Sequence, residues 1–238
     1  MDIMNSLFVI IKPDALENKR VRQYIYHELS KFDIVIEKKV KRFTTSEVEQ
    51  LWPEINESNV LNGLLKCYLT LKKSEILFLF GNITIDQLLL LKQKVRDKYA
   101  KGKFANCIHT PQDLHEYSMQ YKILTCNNDL HDDEIDMVAI NIWTILQKYG
   151  WDYTYTKGKN KKYRIYLVND DYNEIDFVAK SICEIIRYYP IEICYILALQ
   201  TEFHGKIFLY GCDDERQINS IESALRNRNI VVSSDYRF

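Results

Sequence analysis

Apolar residues in the first half of the chain fall in short runs bounded by charges and turn formers. Leu7–Ile11 is continuously apolar and stops at Lys12-Pro13-Asp14; Val21, Tyr24, Ile25 and Leu29 then recur at helical spacing, which predicts strand, turn, helix. Asp33–Phe43 alternates apolar and charged residues through Ile34, Ile36 and Val40, as a half-buried strand does, and Thr45 or Ser46 is placed to cap a helix reaching Trp52. A short helix over Val60–Leu69 follows, then a buried strand at Ile76–Phe80 closed by Gly81, and Thr84 caps the longest helical stretch of this half, Ile85–Tyr99. Asn106–His109 reads as short and extended, and Asp113–Gln120 as a short helix.

Thr125–Asp133 is polar and breaks the pattern, so the expected domains are 1–125 and 126–238. Beyond it the pattern predicts helices over Ile135–Tyr149, Ile175–Tyr189 and about Asp214–Asn227. Strands are expected at Trp151–Thr156, Tyr163–Val168, Ile193–Leu199, Lys206–Tyr210 and Ile230–Ser233, with Tyr121–Cys126 a candidate for an earlier one. Strands and helices alternate in both halves, with hairpins as well as crossovers. The expected class is therefore α+β: two ferredoxin-like domains, each an antiparallel sheet covered by helices on one face.

Composition narrows the function classes. Of 238 residues 47% are hydrophobic and 27% charged, and no apolar run approaches the roughly 18 residues that a membrane-crossing helix needs. With 7 Gly and 4 Pro against 17 Tyr and 10 Phe, loops are short and the core is aromatic. Six cysteines stand singly in apolar surroundings, which fits reduced, buried thiols, and no signal-peptide pattern opens the chain, so a cytoplasmic location is expected. Residues 1–125 hold 19 Lys and Arg against 15 Asp and Glu, the remainder 13 against 18, which fits a first half that handles an anion. No basic cluster is dense enough to argue for nucleic acid.

Two elements carry chemistry. A lysine directly after a buried strand sets its ammonium at the sheet edge, where a phosphate can meet it; Pro13 stops the strand and Asp14 can hold the turn. In Asn106-Cys107-Ile108-His109, strand alternation would put Cys107 and His109 on one face. His131-Asp132-Asp133-Glu134 has metal-ligand residue types, but acidic residues entering a helix complement its dipole without any ion, and no metal site is assigned. The basic turn Lys157–Lys162 and Phe203-His204-Gly205 read as solvated turns.

Leu-Phe-Val-Ile-Ile-Lys-Pro-Asp-Ala at Leu7–Ala15, followed in order by the helix, strand and capped helix ending at Trp52, by Gly63-Leu64-Leu65-Lys66 and by Asn106-x-x-His109, resembles the nucleoside diphosphate kinase family over roughly residues 5–121. The resemblance implies a ferredoxin-like domain in which His109 attacks the γ-phosphate of a nucleoside triphosphate such as ATP and passes the phosphoryl group to a diphosphate. Lys12 and a Mg²⁺ carried by the nucleotide would neutralise the phosphates. It further implies Trp52 and Val60 at the positions of the family's residues near the phosphates and base, and Arg96, Lys103 and Asn106 among the nucleotide-binding residues. Histidine suits the role because a ring titrating near pH 6.5 is largely neutral, and so nucleophilic, at cytoplasmic pH.

The chain departs from the family pattern at four places, one of them Asn18-Lys19-Arg20, which replaces the glycines of the loop after Lys-Pro-Asp. Thr110-Pro111-Gln112-Asp113 replaces the Gly-Ser-Asp that follows the family's histidine; the supporting glutamate falls on Gln120, with Glu116 as a possible substitute; and the interval from the third strand to the histidine is shortened. That loop builds the family's trimers, so a homodimer through an exposed sheet edge is expected instead. The alternative to an enzyme is a degenerate module that binds nucleotide as a sensor or interaction surface.

Overall fold

The computed structural model describes residues 6–55, 58–125 and 135–236. It divides into two compact units, Met1–Asp136 and Met137–Phe238. The polar segment Thr125–Asp133, apart from Thr125, and the His131–Glu134 run that overlaps its end lie outside the described residues.

In the first unit the order is β1 (Ser6–Ile11), α1 (Pro13–Glu17), α2 (Lys19–Leu29), β2 (Ile34–Lys41), α3 (Thr45–Leu51), α4 (Asn59–Leu71), β3 (Ser74–Gly81), α5 (Ile85–Tyr99), β4 (Ile108–His109) and α6 (Leu114–Thr125). The strands form one antiparallel sheet ordered β2-β3-β1-β4, the ferredoxin-like arrangement. β1 is central, which is why it is apolar without alternation: Phe8 to Ile11 are all fully buried. Val9, Ile11, Leu77 and Leu79 on one sheet face pack with Val21, Ile25 and Leu29 of α2 and Leu88, Leu91 and Val95 of α5. Toward the other face, Tyr117 and Tyr121 of α6 meet Phe8 and Phe78.

Capping chemistry sets the helix starts. Asn18 accepts from the amides of Arg20 and Val21, and Thr84 forms a capping box with Gln87. The cap of α3 is Thr44, paired with Glu47, rather than Thr45 or Ser46, and the helix stops at Leu51 with Trp52 just outside it.

The second unit holds α7 (Met137–Tyr149), β5 (Tyr163–Val168), α8 (Ile175–Ile185), α9 (Ile191–His204), β6 (Lys206–Cys212), α10 (Glu215–Arg226) and β7 (Val232–Tyr236). It is likewise α+β, with an antiparallel sheet ordered β6-β5-β7. Three expected strands are not strands. Ile193–Leu199 lies inside α9, where Ile193 to Thr201 are all buried; a helix buried all round has no polar stripe to reveal its period. Tyr121 to Thr125 form the last turns of α6, and Trp151–Thr156 is irregular chain. The last strand runs Val232–Tyr236 instead of Ile230–Ser233.

Candidate functional site

Strand alternation and register bring Lys12 and His109 together. His109 on β4 lies opposite Ile10 of β1, and Lys12, one step past the strand end, shares the parity of Ile10. The backbone amide of Lys12 donates to the Cys107 carbonyl at 2.9 Å, so the pairing of the two segments continues beyond the strand. The Lys12 ammonium donates to Asn106 Oδ1 at 2.8 Å and to the Phe104 carbonyl at 3.4 Å, and Asn106 Nδ2 is tied to the Lys103 carbonyl at 2.6 Å.

Asp14 does more than hold its turn. Its carboxylate accepts from the Tyr68 hydroxyl and, at 3.0 Å, from the Cys107 amide. Cys107 sits at φ 69°, a left-handed conformation costly for a side chain with a β-carbon, and the bond to Asp14 offsets that strain. The expected alternation of Cys107 and His109 therefore fails, because the strand begins only at Ile108.

His109 is 7% exposed and its Nε2 lies 2.8 Å from Gln120 Oε1. Gln120 Nε2 donates to the Leu51 carbonyl at 3.0 Å and to Glu116 Oε1 at 2.7 Å, which fixes the amide orientation and leaves Oε1 as an acceptor. The imidazole proton is thus assigned to Nε2, and the lone pair to Nδ1. Glu116 also accepts from the Gln112 amide at 2.6 Å, so one carboxylate steadies both the glutamine and the chain after Pro111. The Trp52 indole closes edge-on over His109, with centroids 5.0 Å apart, and Lys12 Nζ lies 5.6 Å from the same indole.

Two cations of α5 grip the chain on either side of the histidine. Arg96 Nη2 donates to the Ile108 carbonyl at 3.0 Å, and Lys92 Nζ to the Thr110 carbonyl at 3.2 Å. Burial first, then Lys12, Lys92 and Arg96, push His109 down to about 3, with the Gln120 bond opposing. Burial and Arg96 likewise bring Lys12 down to about 7, against the pull of Asp14. The ring is neutral at physiological pH beside the basic groups Lys12, Lys92 and Arg96, an environment that favours an incoming polyanion.

Of the residues singled out in the sequence, Lys12, Trp52, Arg96, Asn106 and His109 converge. Lys103 takes part through its backbone carbonyl, and Val60 stands apart from these contacts, half-buried in the first turn of α4. Lys92 was missed. Its one available signal was the four-residue spacing to Arg96, which places both on one helix face, whereas Lys94 reaches toward Glu28 and Lys98 covers the Tyr24 ring. Among the described residues, no cluster of three or more His, Cys, Asp or Glu is placed to hold a metal ion. None of the described helices is long and apolar enough to cross a membrane.

Solved nucleoside diphosphate kinases are similar to part of this chain. The Aquifex aeolicus nucleoside diphosphate kinase matches at 15% identity and a TM-score of 0.44, covering 52% of this chain and 96% of its own. An NDP kinase from Pyrobaculum aerophilum matches at 13% identity and a TM-score of 0.39, with the same coverages. In the second unit, residues 158–221 match the family of the ATP-dependent Clp protease adaptor protein ClpS. No curated protein matches the chain.

Proposed function

We propose that the first unit is a nucleotide-dependent phosphotransferase working through a phosphohistidine at His109. The observation that carries this reading is a buried, neutral imidazole whose Nε2 is committed to Gln120 while Lys12, Lys92 and Arg96 surround it. The Nδ1 lone pair attacks the γ-phosphorus of a nucleoside triphosphate; the N–P bond forms as the bond to the β,γ-bridging oxygen breaks, and the diphosphate leaves. An oxygen of a second diphosphate, or of a related acceptor, then attacks phosphorus and restores the free ring. Little proton transfer is needed, so catalysis rests on positioning and on cations around the phosphates. Lys12, Lys92 and Arg96 near His109 suit phosphate rather than a protein-held metal; Mg²⁺ would come with the nucleotide and add charge neutralisation. Trp52 must swing its side chain aside for phosphate to reach the ring; its backbone stays fixed as the C-cap of α3, the amide donating to the Val48 carbonyl.

The test mixes the purified chain with a triphosphate and a different diphosphate and follows exchange of the terminal phosphate. Gln120→Ala is expected to slow transfer by roughly 10–100-fold, since the ring loses the bond that fixes its tautomer, while triphosphate affinity holds. Equal loss of affinity and rate would show that Gln120 acts only through the fold.

For assembly we propose a homodimer through β2, an edge strand with Val35 and Val40 67% and 50% exposed. Light scattering is expected to return twice the chain mass; a hexamer would contradict this.

A second reading concerns the other unit, where the match over residues 158–221 supports a role as an adaptor module for a Clp-type protease. Direct titration of the chain against such a protease tests it.

A further inference from the structure

The second unit contains a cavity of about 480 Å³, the size of a small-molecule site, between irregular chain and the sheet. Tyr153 to Thr156 form one wall, and Tyr166 of β5 and Phe208 of β6, paired across the ladder with centroids 6.0 Å apart, lie on another. The irregular wall is anchored at both ends. Gly158 lies so close to Gly211 that a β-carbon on the latter would meet the Gly158 carbonyl oxygen at 2.3 Å, and the Trp151 carbonyl accepts from Gln200 of α9. Tyr153 stacks on Tyr149 and Tyr155 packs edge-on against Tyr189, so these side chains too are held. The cavity is built by packing and does not depend on a ligand to hold its walls apart.

Its lining specifies a ligand. Tyr153, Tyr155, Tyr166 and Phe208 offer aromatic surface for a planar ring. Lys159 and Lys206 supply the charged groups, His204 adds an imidazole, and none of the described residues lining it is acidic. Lys206 is held over the sheet, its Nζ 4.8 Å from the Tyr166 ring. Gln200 also lines the cavity and is 4% exposed; its Nε2 is spent on Trp151, and its Oε1 has no partner among the described residues. An acceptor left unused in the wall of the cavity calls for a donor from outside the chain, a water or the N–H of a ligand. We infer that this cavity binds a nucleoside monophosphate, whose base supplies the flat ring and the N–H and whose phosphate meets the lysines. Tyr153 to Thr156 precede the stretch that matches the adaptor family, so the cavity uses a wall that this stretch does not contain.

The test is calorimetric titration of the full chain with adenosine and guanosine 5′-monophosphate, the two nucleosides and inorganic phosphate. One equivalent of a monophosphate is expected to bind, with the matching nucleoside and phosphate alone each weaker by about ten-fold or more. The exposed double variant Lys159→Glu/Lys206→Glu is expected to lose at least about ten-fold in affinity, and Gln200→Leu to lose affinity for the nucleoside part. Binding that survives the lysine reversals and disappears in Lys12→Ala would place the monophosphate at the first unit and overturn the inference, as would no binding at all. Because the readout is binding and not phosphotransfer, it stands or falls apart from the function proposed for His109.

Discussion

Incubation with γ-labelled nucleoside triphosphate and Mg²⁺ is expected to leave an acid-labile, base-stable phosphate on the wild-type chain and none on His109→Gln. The stability pattern marks phosphohistidine rather than a phosphate ester. Glutamine keeps approximate size and polarity, so the variant should still bind triphosphate, and loss of label with retained binding isolates the covalent step. The neutral ring predicts that labelling does not weaken as pH falls from 7 to 5, because burial holds His109 far below that range. Lys12→Ala should reduce both binding and label, since the ammonium meets the phosphates in ground and transition states alike. A wild-type chain that binds triphosphate tightly and stays unlabelled would overturn the enzyme reading and make the unit a nucleotide sensor.

How much of this was legible depends on how local each determinant is. The turn at Lys12-Pro13-Asp14, the Thr84 cap and the central apolar strand are written in adjacent residues, and the structure follows them. The pairing of Lys12 with Asn106 and the approach of His109 were legible only through the family resemblance, because they depend on β4 returning beside β1. The link from Asp14 to the Cys107 amide and the support of Gln120 by Glu116 are long-range or orientation-dependent, and no spacing in the chain encodes the rotamers involved. In the second unit, α9 was misread for a physical reason: in a fully buried segment neither period of alternation is expressed.

Acid should cost the first unit more stability than its carboxylates alone explain. An unfolded histidine titrates near 6.5, whereas His109 in the fold is held at about 3, so between these limits the unfolded chain binds a proton that the folded one does not. The stabilising contribution of the neutral ring is complete above pH 6.5 and is lost as pH falls toward 3, on the order of 5 kcal/mol at full extent. Lys12 does not blur this window. Held at about 7 against 10.5 for a free lysine, it is largely protonated in both states below pH 6, and its own linkage acts at higher pH, where stability rises between 7 and 10.5. Other acidic groups of the unit titrate within the same span, so the comparison is between wild type and His109→Gln rather than between two pH values. Opening free energies at the β1 and β4 amides, from hydrogen exchange at successive pH values from 6.5 down to 3.5, report this unit without assuming that the whole chain unfolds in one step. The wild-type values should fall more steeply than those of the glutamine variant, with most of the difference developing below pH 6. Parallel profiles would mean that His109 accepts a proton in place, and that burial and the surrounding cations do not hold it neutral.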